Sequence, residues 1–266
     1  METTQARLFQ AGTLKFEIYE SREAAGKAAA LAAAADIRRH TQGGKDVAVI
    51  FATGASQFAT LEALTSMKDV PWEHVIGFHM DEYQGMSPDH FASFRRYMRE
   101  KLVERVPIKE FYGVDGSSND PEAACRDYAA KLKAANPQLC LLGIGENGHL
   151  AFNDPAIADF NDPLDVKIAD LDDECRAQQV AEGWFPTLAD VPEQAITLTI
   201  PTLFRVPKLI VSVPGSRKAN IVRRVIEDAI STAVPSTLLK THPDATVYLD
   251  NESSSELGDI LAAQHK

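Results

Sequence analysis

His149 stands in the segment LGIGENGHLAFNDP, framed by Gly143, Gly145 and Gly148, with Asn147 just before it and Asp154 just after. A histidine can both accept and donate a proton near neutral pH. A carboxylate on its second ring nitrogen would fix the tautomer and raise the basicity of the ring. A histidine in such a turn can equally serve as a structural cap. The three glycines also fit the pattern G-x-G-x-x-G, but a dinucleotide site needs a long crossover helix directly afterwards, and Asn153-Asp154-Pro155 interrupts at once. No nicotinamide site is read, and no other cofactor is implied. Asp81 and Glu82 follow the apolar run VIGFHM. Neighbours on an extended chain point to opposite faces, so only one of these carboxylates can reach a given ligand atom. That one is a candidate base for proton transfer; both types also cap helices and turns. His74, His79 and Glu82 offer no i, i+4 pair on a helix, so no metal centre is read.

Two further segments suit an anion. Thr53-Gly54-Ala55-Ser56 closes the run DVAVIFATG and opens a helical pattern, which puts backbone N–H groups and two hydroxyls at a helix start. Gly215-Ser216-Arg217-Lys218 repeats the form after KLIVSV and adds two cations. Neither carries the G-x-x-x-x-G-K-[ST] pattern, so no nucleoside triphosphate is implied. No G-x-S-x-G elbow occurs, and Cys125, Cys140 and Cys175 lie outside strand-end turns, so a protein nucleophile is not suggested.

These segments need elements to hold them. Ser21 caps an alanine-rich helix that runs towards Gly43-Gly44. WEHVIGFHMDEY reads as a strand with carboxylates at its end, and SPDHFASFRRYMREKLVERV as a helix capped by Ser87 with Pro88 in its first turn. PEAACRDYAAKLKAANP is a helix leading to the strand LCLLGIG, and AITLTI, KLIVSV and ATVYLD are later strands. Strands alternating with helices predict one α/β domain spanning 1–266, a Rossmann-like, mostly parallel sheet with helices on both faces. In such sheets ligands bind outside the carboxyl ends of the strands, where all four polar segments fall. The stretch 156–190 is rich in Asp and Pro with weak periodicity and can form a lid.

Composition limits the partners. The 266 residues are 45% hydrophobic and 24% charged, with a formal net charge of -11, so an anionic ligand needs a local basic pocket and neither nucleic acid nor anionic membrane is an expected partner. Three dispersed cysteines build no disulfide framework, and no segment reaches the ~18 apolar residues of a membrane span. The expectation is a cytoplasmic protein, with self-association into a homo-oligomer left open.

Taken in order, ATGAS, GFHMDEY, LGIGENGHLAFNDP, PGSRKA and THPDATVYLD resemble the glucosamine-6-phosphate deaminase (isomerase) family, from about Ala52 to Asp250. The resemblance implies conversion of an amino-sugar phosphate to fructose 6-phosphate and ammonia without a cofactor. By position, Asp81 resembles the base that moves a proton between C2 and C1, and His149 the acid/base that opens the sugar ring. Asp154 takes the place of its carboxylate partner and Asn147 belongs to the same catalytic group. Thr53, Gly54, Ala55, Ser56 and Lys218 resemble the phosphate cradle. Asp154 stands where the family often has Glu. The region where members carry an arginine that closes over the phosphate reads CRAQQVAEGWFP, and Arg176 does not align with it. The alternatives are a 6-phosphogluconolactonase-like hydrolase and a non-catalytic sugar-phosphate sensor.

Overall fold

The short Val/Ile/Phe/Leu runs become strands buried along most or all of their length, as a parallel sheet covered on both faces requires. A computed structural model describes residues 6–263. In chain order its strands are β1 Arg7–Ala11, β2 Leu14–Ile18, β3 Val47–Phe51, β4 Val75–His79, β5 Asp81–Tyr83, β6 Glu110–Tyr112, β7 Leu139–Leu142, β8 Val166–Asp170, β9 Gln194–Leu198, β10 Lys208–Val213 and β11 Ala245–Leu249. The helices are α1 Arg22–His40, α2 Phe58–Thr65, α3 Phe94–Met98, α4 Pro121–Ala135, α5 Asp173–Ala181, α6 Ile200–Phe204, α7 Ala219–Glu227 and α8 Gly258–Ala263.

The main sheet has the order β1-β2-β11-β10-β7-β3-β4-β6. All its pairings are parallel except β1 with β2, an antiparallel hairpin at one edge. From β3 the chain builds outward through β4 and β6; from β7 it builds the other way through β10 and β11. The direction of winding therefore reverses between β3 and β7, and the crevice beyond their carboxyl ends is where ligands bind in such sheets.

Alternation along β3 sends its residues to two cores. Val47, Val49 and Phe51 join a layer with the α1 alanines, Leu61 and Leu64 of α2, and Tyr97 and Met98 of α3. Ala48 and Ile50 join the opposite layer with Tyr128 and Leu132 of α4, Leu203 of α6, and Ile221, Val222 and Val225 of α7. The predicted single α/β domain with helices on both faces is what forms. Alanine at 25, 29, 30, 33 and 34 lets α1 pack closely enough to bury that whole stripe.

Two expectations are corrected. The segment 72–83 is not one strand: it breaks at Met80, and Asp81–Tyr83 leaves the main sheet to pair antiparallel with β9, which also pairs with β8. The AITLTI strand thus belongs to a second, three-stranded sheet. Ser87 and Pro88 do not start a helix, because 87–92 forms turns and α3 begins at Phe94, capped by Ser93. The Glu82 carboxylate accepts from the N–H groups of Phe94 and Arg95 (3.1 and 2.9 Å) and from the Ser93 hydroxyl (2.7 Å), so a buried side chain from another element fixes the start. The stretch 156–190, expected as a lid, contains β8 and α5, the latter capped by Asp172 accepting from Cys175 N.

Candidate active site

Beyond β3 and β10 the chain makes the same turn twice. Gly54 (φ 91°) precedes a 3-10 turn Ala55–Gln57, and Gly215 (φ 94°) precedes Ser216–Lys218, each leading into a helix. A positive φ is cheap only for glycine, which is why both turns open with it. Asp250, just past β11, anchors the second turn: its carboxylate accepts from Gly215 N (3.0 and 3.1 Å) and Ser253 N (2.7 Å). The two turns face a common cavity of about 210 Å³, lined by Thr53, Gly54, Ala55, Ser56, Asp81, His149 and Lys218. Seven of the nine residues singled out in the sequence therefore meet in one space, although they come from four different strand ends.

The other two, Asn147 and Asp154, do not line the cavity but stand behind His149. Nδ1 of His149 is 2.8 Å from Asn147 Oδ1 and 2.9 Å from Asp154 Oδ1, and Asn147 Nδ2 donates to Asp154 Oδ1 at 3.2 Å. Two acceptors at Nδ1 place the proton there and leave Nε2 as the ring nitrogen free to act in the cavity. Burial pushes the Asp154 carboxyl up, but hydrogen bonding and charge from His149, with help from Asn147, hold it below the usual range, so it stays ionised. The loop itself is pinned: Gly145 N donates to His149 O, Ser236 N to Gly148 O, and Phe152 N to Thr197 Oγ1 of β9.

Asp81 and Glu82 divide as the extended backbone requires. Asp81 lines the cavity and Glu82 turns away to α3. Asp81 Oδ1 is buried and has no hydrogen-bond partner. Burial first, and the nearby Glu82 charge second, push its carboxyl up to about 8. A buried carboxyl that borders a cavity and keeps an unpartnered oxygen can exchange a proton with a ligand. Lys218 is buried, and its ammonium has no hydrogen bond or ion pair among the described residues. Burial lowers its pKa, and the carboxylates of Glu182 and Glu146 partly offset that.

Sequence reasoning missed several neighbours. α5 and its C-cap bring Gln178, Gln179 and Glu182 to the cavity, and Arg22 comes from the start of α1. Tyr83 donates to Gln179 Oε1 at 2.9 Å, joining β5 to α5. Cys175 of α5 is buried so close to the pair behind the cavity that its Sγ, an imidazole nitrogen of His149 and an Asp154 oxygen all lie within 4.8 Å of one another. These are the residues best placed among those described to hold a metal ion. Burial keeps the thiol protonated far above neutrality, and His149 and Asp154 already bond each other, so their ligand atoms are satisfied by one another. A polar face on α5 was the one signal available for these contacts, and it does not say which strand ends the helix will cover. Arg176 leaves the cavity, donating to the carbonyls of Leu188 and Val191 at 2.9 and 3.1 Å. His74 and His79, far from forming a metal site with Glu82, pair with Asp46 and with the N–H of Val114.

Fold and site together define a Rossmann-like α/β protein that gathers two glycine turns, a buried carboxyl and an oriented imidazole around one cavity at the switch point of its sheet. The family model of glucosamine-6-phosphate isomerases and 6-phosphogluconolactonase matches residues 20–248. A glucosamine-6-phosphate deaminase of Exiguobacterium sibiricum is 36% identical over 226 residues, 84% of this chain and 85% of that one. Its counterpart from Exiguobacterium sp. is 33% identical over 230 residues, 86% and 87% of the two chains. Among solved structures, a monomeric glucosamine-6-phosphate deaminase superposes with a TM-score of 0.83 at 27% identity, covering 91% of this chain and 99% of its own. The 6-phosphogluconolactonase of Thermotoga maritima, at 20% identity and a TM-score of 0.71 over 88% and 98% of the chains, shares the fold. The chain belongs to this enzyme family, the glucosamine-6-phosphate isomerases and 6-phosphogluconolactonases, and is a deaminase-like isomerase within it. No helix among the described residues is long and apolar enough to cross a membrane.

Proposed function

We propose that this enzyme converts glucosamine 6-phosphate, or a closely related amino-sugar phosphate, with water to fructose 6-phosphate and ammonia in the cytoplasm. The observation that carries the reading is the convergence of an unpartnered carboxyl, an oriented imidazole and a cationic glycine turn on one cavity. Phosphate binds the N–H groups of the two turns, the hydroxyls of Thr53 and Ser56, and the ammonium of Lys218. His149, held by Asp154 and Asn147, takes the anomeric hydroxyl proton and returns it to the ring oxygen, which opens the pyranose to the aldehyde. Asp81 then removes the C2 proton, giving an enolamine, and delivers a proton to C1. The resulting C2 imine adds water, and ammonia leaves without a nucleophile from the protein. In this reading α5 and the rest of 156–190 act as the lid, excluding water from the enolamine.

Incubation of the purified protein with glucosamine 6-phosphate should yield equal amounts of ammonia and fructose 6-phosphate. Asp81→Asn should lower that rate by about 10³-fold or more, because a neutral amide cannot accept the C2 proton. Binding without any turnover would rule out this substrate. Hydrolysis of 6-phosphogluconolactone that survives Asp81→Asn would replace the isomerase reading.

A further inference from the structure

The cavity holds little positive charge for the ligand proposed. A phosphate monoester carries about -1.5 to -2 near pH 7. Against this, Lys218 is the buried cation on the lining, and Glu182 and Glu252 line the same space. Of the neighbouring arginines, Arg217 also lines the cavity but pairs with the Glu146 carboxylate, its Nε 3.5 Å away, and Arg176 is held by Asp173 and two carbonyls away from the cavity. Arg22 is different. It is the first residue of α1, it lines the cavity, and its guanidinium makes no hydrogen bond or ion pair among the described residues.

Its position is built rather than incidental. β2 leads directly to α1, and β2 lies beside β11, so the start of α1 sits next to the Asp250 segment that holds Gly215. Tyr19 N donates to Leu249 O at 2.9 Å and Asn251 Nδ2 to Glu20 O at 3.3 Å, tying the two segments together on either side of Asp250. Arg22 Nη2 lies over the second glycine turn, 2.9 Å from where a Cβ on residue 215 would be. Glycine there thus serves the approach of the guanidinium as well as the turn itself.

We infer that Arg22 is a second phosphate-binding cation, reaching across Gly215 to grip the substrate phosphate together with Lys218 and so setting the preference for phosphorylated over free sugars. The inference rests on the reading that the cavity takes a sugar phosphate. A planar guanidinium can bond two phosphate oxygens at once, which an exposed lysine in its place would do less well.

The test measures inorganic phosphate binding by calorimetry on the full-length parent, Arg22→Gln and Arg22→Lys, alongside KM and kcat for glucosamine 6-phosphate. In Arg22→Gln the Kd for phosphate and the KM should each rise roughly 10- to 100-fold, as expected for a charge-assisted hydrogen bond, with a much smaller fall in kcat. Arg22→Lys should recover part of the affinity. Phosphate affinity and KM in Arg22→Gln within about twofold of the parent would overturn the assignment, because a lost charge-assisted bond costs more than that. The phosphate titration needs no turnover. A parent that binds phosphate but leaves glucosamine 6-phosphate unchanged would count against the proposed substrate while the titration still decides the role of Arg22.

Discussion

Replacing Gly145 by alanine tests whether the orientation of His149 matters to the reaction. The imidazole lies face-on over Gly145: a Cβ at 145 would stand at nearly equal distances from Cε1, Nδ1 and Nε2, all well under the 3.0 Å that real Cβ atoms respect. The backbone on both sides is fixed, since Gly145 N donates to His149 O at 3.0 Å and Gly145 O accepts from Gly148 N at 3.0 Å. The ring must therefore be what yields, and it has to withdraw by about 1 Å to reach ordinary contact, the scale of misplacement that can cost about 10²-fold in rate. That withdrawal would also stretch the bonds from Nδ1 to Asn147 and Asp154, now 2.8 and 2.9 Å, and with them the hold on the tautomer. The expected result is a fall in kcat of roughly 100-fold, about 3 kcal/mol of transition-state stabilisation. The overpacking itself should cost the fold about 1–3 kcal/mol. Initial rates of ammonia release under saturating glucosamine 6-phosphate give the first quantity, and denaturant unfolding gives the second. A folded Gly145→Ala protein with kcat within about twofold of the parent would refute the role given to the ring, because a catalytic imidazole does not tolerate such a shift.

Asp81 links activity to stability. Its carboxyl is pushed up to about 8 by burial and by Glu82, so the folded protein keeps a proton that an unfolded aspartate releases near pH 4. The parent should therefore lose stability as pH rises from about 4 through about 8, whereas Asp81→Asn has no such proton to lose. In urea unfolding the variant should gain on the parent between pH 5 and pH 9 by roughly 2 kcal/mol or more, and parallel profiles would show that the carboxyl is not raised. For the same reason the parent's kcat/KM should climb towards pH 8 as the base becomes available, and a plateau already reached at pH 6 would contradict it. Asp250→Ala leaves the buried N–H groups of Gly215 and Ser253 without their acceptor, which should cost about 1–3 kcal/mol and raise KM by loosening the second turn; unfolding midpoints and KM equal to the parent's would show that Asp250 does not hold that turn.

The parts of this molecule that were legible in the sequence are those governed by neighbours along the chain. The run Val47–Phe51 followed by Thr53-Gly54-Ala55-Ser56 could be read as strand, turn and helix because a buried parallel strand and a positive-φ glycine leave marks on adjacent residues. The same holds for Lys208–Val213 with Gly215-Ser216, and for the opposed directions of Asp81 and Glu82. The start of α3 was misread because its decisive partner, Glu82, lies outside the segment, and a Ser-Pro pair at 87–88 is a plausible local cap until that carboxylate claims Ser93 instead. The second sheet was missed because Asp81–Tyr83 is too short to show alternation and its partner β9 lies more than a hundred residues away.

What the sequence determined by itself, then, is the set of candidate side chains, the turns that present them and the α/β class, since each follows from residue type and short-range backbone geometry. What only the tertiary structure decided is their assembly. Strand order brings the ends of β3, β7 and β10 side by side, and the switch at Met80 aims Asp81 into the same space. Docking of α5 sets Cys175 behind His149, while Arg22, unremarkable at the start of an alanine-rich helix, comes to lie on Gly215. Those contacts depend on pairings between segments far apart in the chain, which local propensity does not encode and only burial of a shared core selects.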